Sequence, residues 1–191
     1  MLIFDCDGTL ADTMPSHYEA WVATIEPLGV TMTEDRFYAM GGWPTQKVSE
    51  WLVREHGLRV DPTAMSNAKE ARFEETLHLV RPIEPVVEIA RRERGKRPLA
   101  VATGGTRRIC EGILRHLDCL DWFNAVVCCE DVTRHKPDPD IFLEAARRLN
   151  TPPAHCLVYE DTDPGIESAR LAGMTVIDVR TLHTPRRVTR A

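Results

Sequence analysis

From Pro98 onward, short apolar runs alternate with longer amphipathic stretches, and this rhythm constrains the fold more than any other feature of the chain. The short runs Leu99–Thr103, Ala125–Cys129, Cys156–Glu160 and Thr175–Val179 read as strands. The stretches between them carry helical periodicity, with Ile109, Ile113, Leu114 and Leu117 on one face and Phe142, Ala145, Ala146 and Leu149 on another. Their ends are marked. Asp138 is placed to cap a helix with Pro139 in its first turn, and the helix after Asp161 is expected to begin near Pro164. Gly173 suits a left-handed C-terminal cap. Strands alternating with helices in this way build βα units around a parallel sheet, so the expectation is an α/β fold with a Rossmann-like core.

Residues 15–80 break the rhythm. They offer four helix-like stretches and no convincing strand, directly after a first strand at the start of the chain. An inserted helical subdomain is the simplest organisation, leaving 1–14 and 81–191 as the core. The two crossings, near Met14 and around Arg81-Pro82, are placed to act as hinges. At 191 residues and 43% hydrophobic, the chain has the material for a core of this size.

Each strand ends on a residue type suited to chemistry. Ile3-Phe4-Asp5-Cys6-Asp7-Gly8-Thr9-Leu10 sets two carboxylates two residues apart where a strand breaks into a glycine turn. One could attack phosphorus while the other handles a proton. Thr103 with Gly104 offers a hydroxyl and open backbone amides near a helix start, where anions are favoured, and Gly105 and Thr106 in the same loop are expected to contact the substrate. Lys136 adds a positive charge from the loop Arg134-His135-Lys136-Pro137. An anionic nucleophile approaching an anionic phosphate calls for Mg²⁺, for which Asp5, Asp161 and the backbone carbonyl of Asp7 offer hard oxygens. Glu160 is expected to orient a metal-bound water. Each element also has a plainer role: Asp7-Gly8 as a turn, Thr103 as a helix cap, Lys136 as a surface lysine, Glu160-Asp161 as a capping pair. Four such sites in order, each after an apolar strand or in its loop, argue against coincidence.

Charge and cysteine usage exclude other classes. With 24 basic against 29 acidic residues the net charge is −5, which favours neither nucleic acid nor an anionic membrane as partner. Arg91 to Arg97 read as the basic end of a helix, and Arg186, Arg187 and Arg190 as a solvated tail. No segment approaches the ~18 uninterrupted apolar residues of a membrane span, and no leader-like pattern precedes the first strand. A cytoplasmic monomer is the expectation. The six cysteines follow no C-x2-C spacing and are expected to be reduced core residues. Cys6 lies between the two aspartates, but strand alternation points it away from Asp5.

On these residues the chain resembles the haloacid dehalogenase superfamily of phosphotransferases, and within it the β-phosphoglucomutase-like branch. Asp5-x-Asp7-Gly8-Thr9-Leu10-x-Asp12 is similar to the family's first motif, Thr103 to its second, Lys136 in His-Lys-Pro-x-Pro to its third, and Glu160-Asp161-x-x-x-Gly165 to its fourth. The resemblance implies that Asp5 forms an aspartyl phosphate and Asp7 acts as general acid and then base. It also implies that Thr103 and Lys136 hold the phosphoryl group, that Asp161 ligates Mg²⁺, and that residues 15 to 80 are a helical cap over the substrate. A departing halide needs no proton whereas an alkoxide does, so Asp7 argues for phosphate monoesters over dehalogenation.

His17 and Trp21 stand four residues apart and share a helix face. Periodicity alone favours core packing for Trp21 and a surface place for His17; the resemblance implies that both line the sugar pocket. The loop Gly41-Gly42-Trp43-Pro44-Thr45 is expected to approach the substrate, with Gly42 and Thr45 in contact, while Lys47 either touches a second anion or faces water. In the mutases of this branch an arginine in that loop typically holds the far phosphate, and this chain has Pro44-Thr45 there. The pattern is more similar to the branch's fructose-1-phosphate phosphatases. Hydrolysis of a sugar phosphate is therefore the expected activity, with β-phosphoglucomutase and a catalytically silent binding protein as the alternatives.

Overall fold

The computed structural model describes residues 1–188. The chain opens with β1 (Leu2–Phe4) and the two-residue β2 (Ala11–Asp12). Four helices follow: α1 (Met14–Ile25), α2 (Glu34–Ala39), α3 (Thr45–His56) and α4 (Pro62–Glu75). The chain returns through β3 (Arg81–Pro82) to α5 (Glu84–Glu93), β4 (Leu99–Ala102), α6 (Arg107–His116) and β5 (Ala125–Val127). It then runs through α7 (Asp140–Arg148), β6 (Leu157–Glu160), α8 (Asp163–Leu171) and β7 (Thr175–Asp178).

The five main strands are parallel in the order β5-β4-β1-β6-β7. Leu2 lies opposite both Leu99 and Leu157, and Phe4 opposite both Val101 and Tyr159, so β1 is fully paired at the centre. The connections run outward from β1 in both directions. In such a sheet the crevice opens at the strands' carboxyl ends beside this reversal of order, which is where β1, β4 and β6 terminate.

Alternation divides the strand residues between two cores. Leu2, Phe4, Leu99, Val101 and Tyr159 face one, where α6 buries Ile109, Ile113 and Leu114. Ile3, Ala100, Ala102 and Val158 face the other, beneath α7 and α8. Each large aliphatic side chain of α6 contributes roughly 1.5–3 kcal/mol by its burial, which accounts for the retention of that helix. Helices α1–α4 share a third cluster around Trp21, Ile25, Phe37 and Leu52.

Several boundaries shift from the expected ones. The strands at Leu99, Ala125 and Thr175 end earlier, at Ala102, Val127 and Asp178, and Cys156 precedes β6. Thr103 still donates its N–H to Val127 at 3.0 Å, whereas Cys129 turns to bond the Gly105 carbonyl. Pro139, not Asp138, occupies the cap position of α7, because the Asp138 carbonyl accepts the Ser168 hydroxyl at 2.6 Å and Arg134 grips Asp140. Gly173 does take a left-handed conformation, with φ of 74°. Helix α5 stops at Glu93, so Arg94 and Arg97 lie beyond it, and Arg94 covers the Trp122 ring at 4.9 Å.

Two long-range features lie outside what the sequence suggested. The crossings to and from α1–α4 are joined as an antiparallel pair, Ala11 with Pro82 and Asp12 with Arg81. The basic tail is not free in solvent: Arg186 pairs with Asp12, Arg187 with Asp35, and the Val188 N–H donates to Glu34 at 2.8 Å. The acidic first turn of α2 supplies the attraction that a reading of the tail alone misses. Arg190 lies outside the described residues. No helix among the described residues is long and apolar enough to cross a membrane.

Candidate active site

Asp5 follows β1 directly, and its backbone N–H still donates to Tyr159, so its carboxylate emerges at the sheet's central crevice. The side chain is buried and receives Lys136 Nζ at 2.6 Å. Lys136 also lies 3.4 Å from Glu160 Oε1 and from the Ala102 carbonyl, following a loop whose Lys136-Pro137 peptide is cis. Burial pulls the proton affinity of Lys136 down, but Asp5 and Glu160 outweigh it and hold the ammonium above its usual range. Burial raises Asp5, and Glu160 and Asp7 add to the rise against the opposing pull of Lys136. Asp161 is likewise raised, by burial and then by Glu160 and Asp5.

That crowding of carboxylates fits a cation. Asp5, Glu160 and Asp161 present oxygens within 4.8 Å of one another, a donor set of hard ligands suited to Mg²⁺. Two glycines make the approach possible. Gly8 has φ of 84°, and a Cβ there would stand 2.2 Å from Asp161 Oδ2. A Cβ on Gly165 would stand 1.6 Å from Glu160 Oε1. Glu160 is satisfied by its own loop, accepting the Thr162 hydroxyl at 2.6 Å and the Asp161 N–H at 2.9 Å.

Asp7 turns to the other side of the crevice. Its Oδ1 accepts the Thr13 hydroxyl at 2.7 Å and lies 3.0 Å from His17 Nε2, whose Nδ1 is 2.7 Å from Lys69 Nζ. Burial pushes Asp7 up, yet His17, Thr13 and Lys69 together bring it below the ordinary carboxylate range. His17 is buried, contrary to the surface place its periodicity suggests, and stacks on Phe73 with centroids 3.8 Å apart. Trp21 is both things that the sequence left open: 3% exposed within the helical cluster, and part of the cavity wall beneath Lys69.

The cavity between strand ends and helices is lined by Asp5, Asp7, Thr103, Gly104, Gly105 and Glu160 from below. His17, Trp21, Gly42 and Thr45 line it from above. The Thr103 hydroxyl accepts the Gly105 N–H at 3.0 Å, and Gly104 comes so close to the Gly42 carbonyl that a Cβ would stand 3.0 Å from it. Thr45 donates its hydroxyl to Glu70. Thr106 lies at the N-terminal boundary of α6 and, like Lys136 and Asp161, is not among the lining residues. Lys47 is exposed, with its ammonium 4.3 Å above Trp43. Cys6 is fully buried in the core opposite; despite a hydrogen bond with Cys110, burial and the two aspartates push its thiol up to about 12, which disfavours the thiolate a nucleophile needs.

Sequence reasoning missed Lys69 and Glu70 of α4, which both line the cavity. A signal existed: Met65, Lys69 and Phe73 recur every four residues on one buried face, and a lysine in such a stripe has to be paired.

Comparison with known proteins agrees with this geometry. A model of the haloacid dehalogenase-like hydrolases matches residues 1–173. Fructose-1-phosphate phosphatase YqaB of Escherichia coli (strain K12) is 40% identical over 182 residues, covering 95% of this chain and 96% of that protein. The β-phosphoglucomutase of Bacillus subtilis (strain 168) is 28% identical over 185 residues, covering 93% and 82%. The crystal structure of a hydrolase from Pseudomonas syringae superimposes with a TM-score of 0.82 at 26% identity, covering 93% of this chain and 83% of that one. A parallel sheet with acidic residues at its central strand ends, a buried lysine beside them and a helical insertion above thus has its relatives: the chain belongs to the haloacid dehalogenase-like hydrolases.

Proposed function

We propose that this protein hydrolyses sugar phosphate monoesters through an aspartyl phosphate, with fructose 1-phosphate as the foremost candidate substrate. The observation that carries the reading is the division of labour between two carboxylates: Asp5 is gripped by Lys136, and Asp7 by Thr13 and His17. In the first half-reaction an Asp5 oxygen forms a bond to phosphorus as the ester P–O bond breaks, and Asp7 gives its proton to the departing sugar oxygen. In the second, Asp7 takes a proton from water as that water attacks phosphorus, releasing inorganic phosphate and restoring Asp5. Asp7 must carry a proton for the first step. Although its partners hold it low, an arriving phosphate dianion raises its proton affinity by the same charge effect.

Thr103, the backbone at Gly104 and Lys136 would hold the phosphoryl oxygens, and Asp5, Asp161 and the Asp7 carbonyl would hold Mg²⁺. The ion would offset the repulsion between carboxylate and phosphate. Glu160 anchors Lys136 and the 161–162 loop. Residues 15–80 form the cap, with His17, Trp21, Gly42 and Thr45 on the sugar side; Gly105 continues the phosphate loop. The likeness to a fructose-1-phosphate phosphatase at 40% identity supports hydrolysis over mutase chemistry.

A panel of phosphate esters assayed with Mg²⁺, with products identified, tests the reading. Free phosphate is expected from fructose 1-phosphate; conversion of β-glucose 1-phosphate to glucose 6-phosphate would mark a mutase instead. Asp5→Asn is expected to abolish turnover, and residual activity above about a tenth of wild type would remove the nucleophile assignment. EDTA should silence the enzyme and Mg²⁺ restore it.

A further inference from the structure

Glu70 stands 6% exposed on the cap wall of the cavity. Its Oε1 accepts the Thr45 hydroxyl and lies 3.3 Å from Lys69 Nζ. Its Oε2 is buried without a hydrogen-bond partner. A carboxylate oxygen withdrawn from water and left unmatched is costly, and a donor on a bound ligand would complete it. The ligand atom must be a donor. Lys69 already places one positive charge beside this carboxylate, so a neutral donor suits it better than a second cation, and hydroxyls are the donors a sugar offers.

We infer that Glu70 selects the substrate: its Oε2 accepts a hydroxyl of the leaving sugar and its charge rejects a second phosphoryl group at that end. The inference rests on the phosphatase reading of the site and narrows it to monophosphates of neutral polyhydroxy compounds. Thr45 is then a positioning residue, since its hydroxyl fixes the Glu70 carboxylate. Like charges brought together in a desolvated pocket discriminate by large factors.

The test is binding without turnover. Calorimetry on the Asp5→Asn protein with Mg²⁺ compares fructose 1-phosphate with fructose 1,6-bisphosphate, then repeats the pair with Glu70→Gln added. The monophosphate should bind at least about tenfold more tightly before the second substitution, and the gap should close to within about threefold after it. Equal binding of the two ligands, binding of neither, or a gap that survives in folded Glu70→Gln protein overturns the inference. Should the amide variant not fold, Glu70→Thr serves in its place under the same criteria. Phosphate release by the wild-type enzyme from sugar monophosphates tests the phosphatase reading separately. An enzyme that releases phosphate but binds the bisphosphate equally well fails here alone.

Discussion

Gly165 of α8 offers a case where two effects of one methyl group oppose each other. Alanine in a helix interior normally gains about 0.8–1.0 kcal/mol over glycine. At this position the added Cβ would stand 1.6 Å from Glu160 Oε1, so the Glu160 side chain must leave its place. It is fully buried there and accepts from Thr162 at 2.6 Å and the Asp161 N–H at 2.9 Å. Hydrogen bonds to a charged group are worth roughly 1.5–3 kcal/mol each, so losing two costs roughly 3–6 kcal/mol and outweighs the helix gain. The net loss of about 2–5 kcal/mol corresponds to a fall of about 4–20 °C in Tm for a chain of this size. Turnover should fall as well, because Glu160 is one of the groups that hold Lys136 against Asp5, the proposed nucleophile. Gly112→Ala is the control: its Cβ would meet only Leu77 at 3.5 Å, so Gly112→Ala should keep the helix gain and melt slightly higher. Thermal unfolding and phosphate release measured on both variants decide the matter. A Gly165→Ala protein that melts at or above wild type with undiminished kcat would refute the reasoning.

Asp7→Asn should keep the fold yet lose about 10²–10⁴ in kcat, read from phosphate release; a loss under tenfold would remove Asp7 from proton transfer. Trp21→Ala should cost about 3–5 kcal/mol, because the ring packs the helical cluster as well as the cavity wall, and should lower turnover of fructose 1-phosphate and p-nitrophenyl phosphate together; an unchanged Tm would show that Trp21 serves the pocket alone. Asp131 is raised by burial but held below the carboxylate range by the Cys128 N–H, Arg148 and Arg107. A depressed folded pKa gives stability that is present above the unfolded value near 4 and lost as pH falls through the folded one. Asp131→Asn should therefore lower Tm at pH 7 and much less at pH 2–3, and an equal decrement at both would contradict the charge argument.

The parts of the site that the sequence made legible are local. Asp5, Thr103 and Glu160 each follow an apolar run within a residue or two, so strand periodicity alone carries them to the same edge of the sheet. The rest depends on residues far apart in the chain. β2 and β3 are two residues each, and β3 contains a proline, too little for any periodic signal, yet they pair across the whole insertion. The tail's arginines meet acids 152 or more positions away, and only the folded chain brings Asp12 and Asp35 to them. Lys69 and Glu70 belong to this second class, although one of them left a trace in its helix.

The polar line from Asp7 through His17 to Lys69 joins the core loop to the first and last helices of the insertion. On the proposed reading this makes the acid depend on the cap. The core loop contributes Asp7, but the groups that depress its proton affinity arrive from α1 and α4. When the cap lies closed over a sugar phosphate, Asp7 faces both the phosphate, which raises its affinity for the proton, and His17 and Lys69, which lower it. Transfer to the leaving oxygen relieves this tension, since a deprotonated Asp7 is what His17 and Lys69 stabilise. Cap movement on the β2–β3 pair would separate Lys69 from that carboxylate and open the site to water at the same time. Proton transfer and water exclusion therefore favour the same closed state, and a ligand that cannot hold the cap closed loses both.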